Sequence, residues 1–253
     1  MMSSPRTYRL LSWTVHHCVG IDQRHSVERI ADVIRDYDPD LVALQELEVN
    51  HRRSSRIHQP SELADQLKMD YHYHPPRILR EAGFGNGILT RLNMKHVRCG
   101  VLPSLPFVRL QKRGALWMSV EIDGQEVQII NTHFGLMGSE RMLQARALCG
   151  AEWLDHMDCR RRPRIVCGDF NATPRSPAYR MLAGALQDAQ KLAGDPKVRT
   201  WPSVLPFVRY DHVFVGQGIK ARRVEVPRTR QTTVASDHLP VLMEFEVHPP
   251  SPD

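Results

Sequence analysis

No stretch of the sequence approaches the ~20 consecutive apolar residues that a membrane-crossing helix needs. Charges also break the short apolar stretch of residues 1–11, where a signal peptide would carry an uninterrupted one. A cytoplasmic protein without a transmembrane segment is the expectation. Cysteine is sparse. Cys18, Cys99, Cys149, Cys159 and Cys167 are odd in number, include no C-x-x-C pair and lie scattered in a chain too large to need staples, so they read as free, mostly buried thiols. The 13 histidines include no H-E-x-x-H spacing, so nothing marks a zinc protein. A long Gly/Ser-rich or charge-block linker, an internal repeat and low-complexity segments are missing too, and nothing calls for an obligate protein partner. At 253 residues the chain is near the upper limit of one hydrophobic core, and residues 1–253 are expected to form a single domain.

What is present is an ordinary globular composition, 42% apolar and 25% charged, sufficient for a sizeable core. A formal net charge of +6 favours an anionic partner, because a positive field concentrates phosphate-bearing molecules. It does not choose among DNA or RNA, phospholipid headgroups and small phosphate esters. Part of the excess is local, in Arg52, Arg53 and Arg56 and in Arg160, Arg161, Arg162 and Arg164, clusters that serve equally well as solvated loop charge.

Residues 8–15 read as a buried strand, and Ser26 caps a helix in which Val27, Ile30, Ala31 and Ile34 recur at helical spacing until Asp38-Pro39-Asp40. Residues 41–45 form a short apolar run, a strand covered on both faces that delivers Glu46 at its end. Residues 61–67 predict a short helix, 72–76 an irregular segment, and 83–87 a flexible approach to a strand over 88–91. Runs at 115–122 and 126–132 flank Asp123-Gly124, which predicts a hairpin whose second arm ends at His133. From 139 to 157, Leu143, Ala147, Gly150, Leu154 and Met157 share one face of a long helix. A strand over 165–167 runs straight into Gly168-Asp169-Phe170-Asn171, Ser176-Pro177 opens another helix, and 213–215, 219–226 and 241–247 are the last strands. This order favours two sheets covered by helices over a doubly wound parallel sheet.

Cleaving a phosphate ester requires neutralising charge on the phosphoryl oxygens and supplying an activated nucleophile. Carboxylates at strand ends suit both tasks, since hard oxygen donors hold Mg²⁺, while a histidine can protonate a leaving oxygen. Gln45-Glu46, Asn131-Thr132-His133, Gly168-Asp169-Phe170-Asn171, Asp211-His212 and Ser236-Asp237-His238 are the stretches with that character. In this order, across residues 8–247, they resemble the endonuclease/exonuclease/phosphatase superfamily, which includes DNase I, AP endonucleases, neutral sphingomyelinases and inositol-polyphosphate 5-phosphatases.

The resemblance implies a DNase I-like α/β fold, a four-layer α/β sandwich of two mixed sheets packed face to face with helices outside and the site along one edge. It implies that Glu46 and Asp237 are metal-side carboxylates, that Asp169 orients or deprotonates the attacking water, and that Asn171 polarises the same phosphate or water. It further implies that His238 contacts the scissile phosphate and is held by Asp211. His133 would act as a general acid or phosphate contact, with Glu81 as the candidate that orients it, and it resembles the DNase I, sphingomyelinase and phosphatase branches more than abasic-site repair. Asn86 is a candidate substrate contact or a plain turn residue. His16 and His17 read as solvated loop residues beside the cleft. One position departs: the family's first strand usually ends in an asparagine ligand, and Thr14 stands there.

The expected activity is that of a Mg²⁺-dependent phosphodiesterase, with Mn²⁺ able to substitute, using in-line attack of an activated water on DNA or RNA. The alternatives are a phospholipid-headgroup or phosphoinositide phosphodiesterase or phosphatase, and, because of Thr14, a catalytically weakened binding protein.

Overall fold

The computed structural model describes residues 6–79, 82–106 and 109–249. Along the chain these form β1 (Tyr8–Thr14), α1 (Val27–Tyr37), β2 (Leu41–Val49), α2 (Gln59–Leu67), β3 (Asp70–Leu79), β4 (Ala82–Thr90), β5 (Met94–Val101), β6 (Gly114–Ile122) and β7 (Gln125–His133). They continue with α3 (Gly138–Cys149), α4 (Met157–Arg160), β8 (Arg164–Asp169), α5 (Pro177–Ala185), β9 (Gln187–Asp188), α6 (Ala189–Ala193), β10 (Asp211–Val215), β11 (Ile219–Glu225), α7 (Arg230–Ala235) and β12 (Val241–Val247).

The strands build two six-stranded sheets, ordered β11-β12-β1-β2-β4-β3 and β5-β6-β7-β8-β10-β9. Each is mixed: β1 and β2 run parallel, as do β7 and β8, while the other pairs are antiparallel. Alternation along each strand decides the layering. Leu10, Leu41 and Ala43 point into a core shared with Met118, Ile129, Ile165 and Val213 of the other sheet. Their neighbours Leu11, Val42 and Leu44 meet Ile30, Ile34 and Leu63 of α1 and α2 on the outside. Ile130, Val166 and Phe214 face outward against Ala145, Leu148 and Leu182 of α3 and α5. Strands buried on both faces explain the nearly continuous apolar runs. The result is the four-layer α/β sandwich expected. Among the described residues, no helix is long and apolar enough to cross a membrane.

Local signals held where chemistry is local. Ser26 accepts the Arg29 amide and Ser176 that of Tyr179 as helix caps. Asp123 and Gly124, at φ 50° and 73°, turn the β6–β7 hairpin with the two positive φ angles of a type I′ turn. Three expectations are corrected. Residues 72–76 lie within β3, an edge strand where Pro75 and Pro76 fall at a bulge between His74 and Arg77 and so cost no ladder bond. Residues 83–87 are part of β4; the glycines serve close approach, since a Cβ on Gly85 would lie 2.0 Å from the His74 carbonyl oxygen. The helix expected over 139–157 stops at Cys149, where Gly150 takes an extended ψ of 180°, and only α4 follows. The face it buries is Glu140, Gln144, Ala145 and Leu148, and Met157 is 55% exposed.

Candidate active site

Strand directions gather the polar residues at one edge. In β7, β8 and β10 the register sets His133 beside Asp169 and Asp169 beside Asp211, so three adjacent strands each contribute one group. In the facing sheet Thr14 pairs with Gln45, and the loop before β12 returns to the same edge. That loop is fixed by the Trp13 indole donating to the His238 carbonyl at 2.8 Å and the Ser236 hydroxyl donating to the Thr14 carbonyl at 2.6 Å.

The Asp211 carboxylate meets His238 Nδ1 at 2.8 Å, and His238 Nε2 faces Asp169 Oδ2 at 3.9 Å. Burial opposes charge on His238, but Asp211, with Asp169 and Asp237 behind it, outweighs this and raises the imidazole pKa to about 10. Asp169 is itself buried, which disfavours its anion; His133, His238 and the Asn171 amide, donating to Oδ1 at 2.7 Å, nevertheless hold it well below the usual carboxylate range.

Asp169 Oδ2 lies 3.2 Å from His133 Nε2, and His133 Nδ1 lies 3.0 Å from Nη1 of Arg113, a buried guanidinium. Arginine only donates, so Nδ1 accepts and the ring proton sits on Nε2, aimed at Asp169. Burial pushes the Arg113 pKa down, while Glu46, Asp169 and Glu140 sustain its charge. Arg113 thus meets His133 at Nδ1; Glu81, the residue expected to orient His133, lies outside the described residues. Nothing in the sequence separates Arg113 from the other arginines, and it went unrecognised there.

Asn171, at φ 47°, donates its amide to the Phe134 carbonyl at 2.9 Å beside His133. Thr14 is fully buried, its hydroxyl 3.2 Å from both Gln45 Oε1 and Asp211 Oδ1, which makes it a support of the Asp211–His238 pair. Gln45 continues inward to Asn131 at 2.7 Å, and Asn131 donates to the carbonyls of Leu44 and Gly87, tying the two sheets together beneath the site. Asn86 is buried within β4 and its side chain donates to the Gly114 carbonyl at 3.0 Å, so it is not a turn residue. The Trp201 indole reaches Asp237 Oδ2 at 3.4 Å.

Glu46 does not end its strand, as expected, but sits within β2 at a bulge between Leu44 and Leu47, with φ 63°. A bulge re-aims a side chain. The Glu46 oxygens lie 3.9 Å from His17 Nε2 and 3.9 Å from His133 Nδ1. A partly exposed carboxylate at such distances, beyond hydrogen bonding, fits a cation ligand. Among the described residues, two triplets of potential ligands converge within 4.8 Å: Asp169, Asp211 and His238, and His16, His17 and Glu46. The first is consumed by its own hydrogen bonds; the second gathers two histidines that the sequence reading left as solvated.

Comparison with known proteins agrees with this geometry. The model of the Endonuclease/Exonuclease/phosphatase family matches residues 16–238. A Vibrio vulnificus protein designated UPF0294 is 31% identical over 153 residues, covering 58% of this chain; the chain matches 49% of that protein's length. An endonuclease/exonuclease/phosphatase from Beutenbergia cavernae superposes with a TM-score of 0.78 at 24% identity, covering 96% of this chain and 72% of that one. The Bacteroides thetaiotaomicron mannosyl-6-phosphatase superposes with a TM-score of 0.76 at 20% identity, covering 94% and 99%. With the family model matched over most of the chain and the acidic and histidine groups gathered at one sandwich edge, this chain belongs to the endonuclease/exonuclease/phosphatase family.

Proposed function

We propose that the chain hydrolyses a phosphodiester in one in-line step with a divalent cation, Mg²⁺ or Mn²⁺, held at Glu46 with Asp237 as a further carboxylate at the metal side. The observation that supports this most is the convergence of Asp211 on His238 at 2.8 Å, of Asp169 on His133 at 3.2 Å, and of His238 towards Asp169 at 3.9 Å. When bound, the dication neutralises charge on the phosphoryl oxygens. Asp169, held as an anion, accepts a hydrogen bond from the attacking water and orients it. His238, fixed by Asp211, donates Nε2–H to a phosphoryl oxygen. His133 presents its Nε2–H from the other side, and the Arg113 charge lies directly behind it. These donors are set before the substrate arrives, which is where such electrostatic stabilisation gains its strength.

The rim supports a lipid-borne phosphodiester, a phospholipid headgroup or phosphoinositide, as substrate. Three residues beyond β7, Leu136 is 71% exposed and Met137 43%. The loop carrying Val204, Leu205 and Phe207, at 53%, 70% and 64% exposure, is held at the site by the Ser203 amide donating to the Asp237 carbonyl. Apolar side chains flanking a polar site are suited to a lipid surface. The arginine cluster at 160–164 leads into β8 at the end away from Asp169, and Arg160 and Arg162 are paired with Asp155, Asp158 and Glu126. Nucleic acid is the second reading, favoured by the net charge of +6 and by the Phe207–Trp201 ring pair, 5.7 Å apart beside His238.

Hydrolysis of phospholipid vesicles and of plasmid DNA, each with Mg²⁺, Mn²⁺ or EDTA, tests both readings. Activity on vesicles with none on plasmid is expected; plasmid cleavage that weakens steeply with salt would select nucleic acid. Asp169→Asn and His238→Ala should each lower turnover at least ~100-fold, and wild-type rates in either variant would refute the site.

A further inference from the structure

The turn after β1 carries strain. His16, His17 and Cys18 follow one another at φ 44°, 56° and 58°, and Glu46 opposite them is at φ 63°. Left-handed backbone at non-glycine residues costs on the order of 1 kcal/mol each and persists only where the surroundings enforce it. Here the Gln59 amide donates to the His17 carbonyl at 2.7 Å, the Phe84 ring packs 5.0 Å from the His17 ring, and Cys18 is buried.

The same restraints orient both rings. His16 Nδ1 is 3.1 Å from the Val19 carbonyl oxygen, which only accepts, so Nδ1 carries the proton and the lone pair is on Nε2. His17 Nδ1 is 3.3 Å from Glu48 Oε1, while its Nε2 faces Glu46 Oε2 at 3.9 Å. An imidazole whose far nitrogen is engaged by a carboxylate or carbonyl is how metal-ligating histidines are held. Two donors each ~2.1 Å from a shared ion lie ~3–4 Å apart, which the His17–Glu46 separation meets. One donor atom from each of His16, His17 and Glu46 lies within 4.8 Å of the other two.

We propose that His16, His17 and Glu46 form a binding site for a first-row transition dication, Co²⁺ or Zn²⁺, in preference to Mg²⁺, with Glu48 and Val19 positioning the two imidazoles. The proposal rests on Glu46 being the cation's carboxylate, and it changes the ion. Two nitrogens and one carboxylate suit borderline metals, whereas Mg²⁺ selects oxygen donors and keeps its waters.

Chelator-stripped protein titrated with Co²⁺, followed by visible absorption and calorimetry with Mg²⁺ as competitor, tests this directly. The wild type should bind Co²⁺ at least ~100-fold more tightly than Mg²⁺. His17→Ala and His16→Ala should each weaken Co²⁺ at least ~10-fold and lose the nitrogen-ligand spectrum, and Glu48→Gln should weaken it ~10–100-fold through His17. Thermal melting of each variant separates lost ligation from lost folding. If the His16→Ala/His17→Ala double variant folds and binds Co²⁺ like the wild type, or if Mg²⁺ competes at equal concentration, the proposal is overturned. Glu46→Gln keeps the two readings apart: should it abolish hydrolysis while the histidine variants retain Co²⁺, only this proposal fails. Should it alter neither Co²⁺ binding nor hydrolysis, the reading of Glu46 fails as well.

Discussion

Gly168 is the residue on which the site's geometry turns. It has φ 137°, and a Cβ there would stand 1.8 Å from the Thr132 carbonyl oxygen, a backbone atom of the neighbouring strand that cannot step aside. Gly168→Ala therefore has to part β7 from β8 between His133 and Asp169. A loss of ~2–4 kcal/mol in urea unfolding is expected, with turnover falling at least as far as in Asp169→Asn. Thr14 gives a milder case. Thr14→Val keeps the shape and removes the donor shared by Gln45 and Asp211, which should destabilise by ~1–3 kcal/mol and lower turnover through a loosened His238. Thr14→Asn should bring no gain in activity, because residue 14 is buried and the Thr14 hydroxyl already fills the position between Gln45 and Asp211. These residues mark the limit of sequence reading. Asp169, His238 and Asp211 were legible because their motifs are short and contiguous. Arg113, Gln45 and the turn of His16 and His17 were not, since each acts through a neighbour far off in the chain.

At the level of elements, what was legible follows from how local the cause is. Caps and the β6–β7 turn are decided within four residues and were recovered. The stop after α3 depends on Gly150, whose absent side chain leaves the apolar pattern intact, so the periodicity ran on past the real end. Strand β3 is held by its pairing with β4, which no reading of His72 to Pro76 contains. One consequence at this scale concerns β10. His212 is buried against Phe170, Tyr179 and Phe214 and donates Nε2–H to the Ala172 carbonyl at 2.7 Å. Burial first, then the nearby Arg209 charge, lowers its pKa from 6.5 to about 4. A depressed base binds its proton in the unfolded chain before the folded one. Its contribution is thus fully present above pH 6.5 and is lost as pH falls towards about 4, by ~3 kcal/mol in all. His212→Phe should flatten the stability slope across that window while adding a constant penalty for the lost hydrogen bond, which urea titrations at several pH values would resolve. A parallel slope in both proteins would exclude His212 as the cause. The clamp before β10 is stiffer. Arg209 meets Asp188 at 2.5 Å and Gln190 at 2.8 Å, and Asp188 also accepts the Tyr179 hydroxyl and caps α6. Asp188→Ala would leave that guanidinium buried without its carboxylate, a loss of ~3–5 kcal/mol in unfolding free energy.

Across the whole molecule, net charge favours a polyanion, whereas the surface at the site favours a lipid-borne substrate. Arg29, Arg35, Arg91, Arg98, Arg160, Arg162, Arg222 and Arg223 sit in ion pairs with carboxylates already counted in the net +6, so the pairing leaves that excess as it is. Exposed pairs of this kind contribute little to stability. The loop of Val204, Leu205 and Phe207, by contrast, is apolar at the mouth of the site, and its sequence Leu-Pro-Phe-Val-Arg at 205–209 recurs at 105–109, shortly before Arg113. That duplication is too short to count as a structural repeat. In the second copy, Phe207 leans on Trp201 and Trp201 on His238, at 5.7 and 6.5 Å between ring centroids, so a path of rings runs from the exposed Phe207 to His238. A rim that works by entering a lipid surface should matter only when the substrate is presented on one. Leu205→Asp/Phe207→Asp should therefore cut hydrolysis of phospholipid in vesicles at least ~10-fold and reduce co-sedimentation with them, since each buried apolar side chain is worth ~1.5–3 kcal/mol. The same variant should hydrolyse a short-chain, monomeric phosphodiester at the wild-type rate. Equal losses on both substrates would mean that the loop shapes the catalytic site itself, and no loss on either would leave the apolar rim without a part in substrate choice.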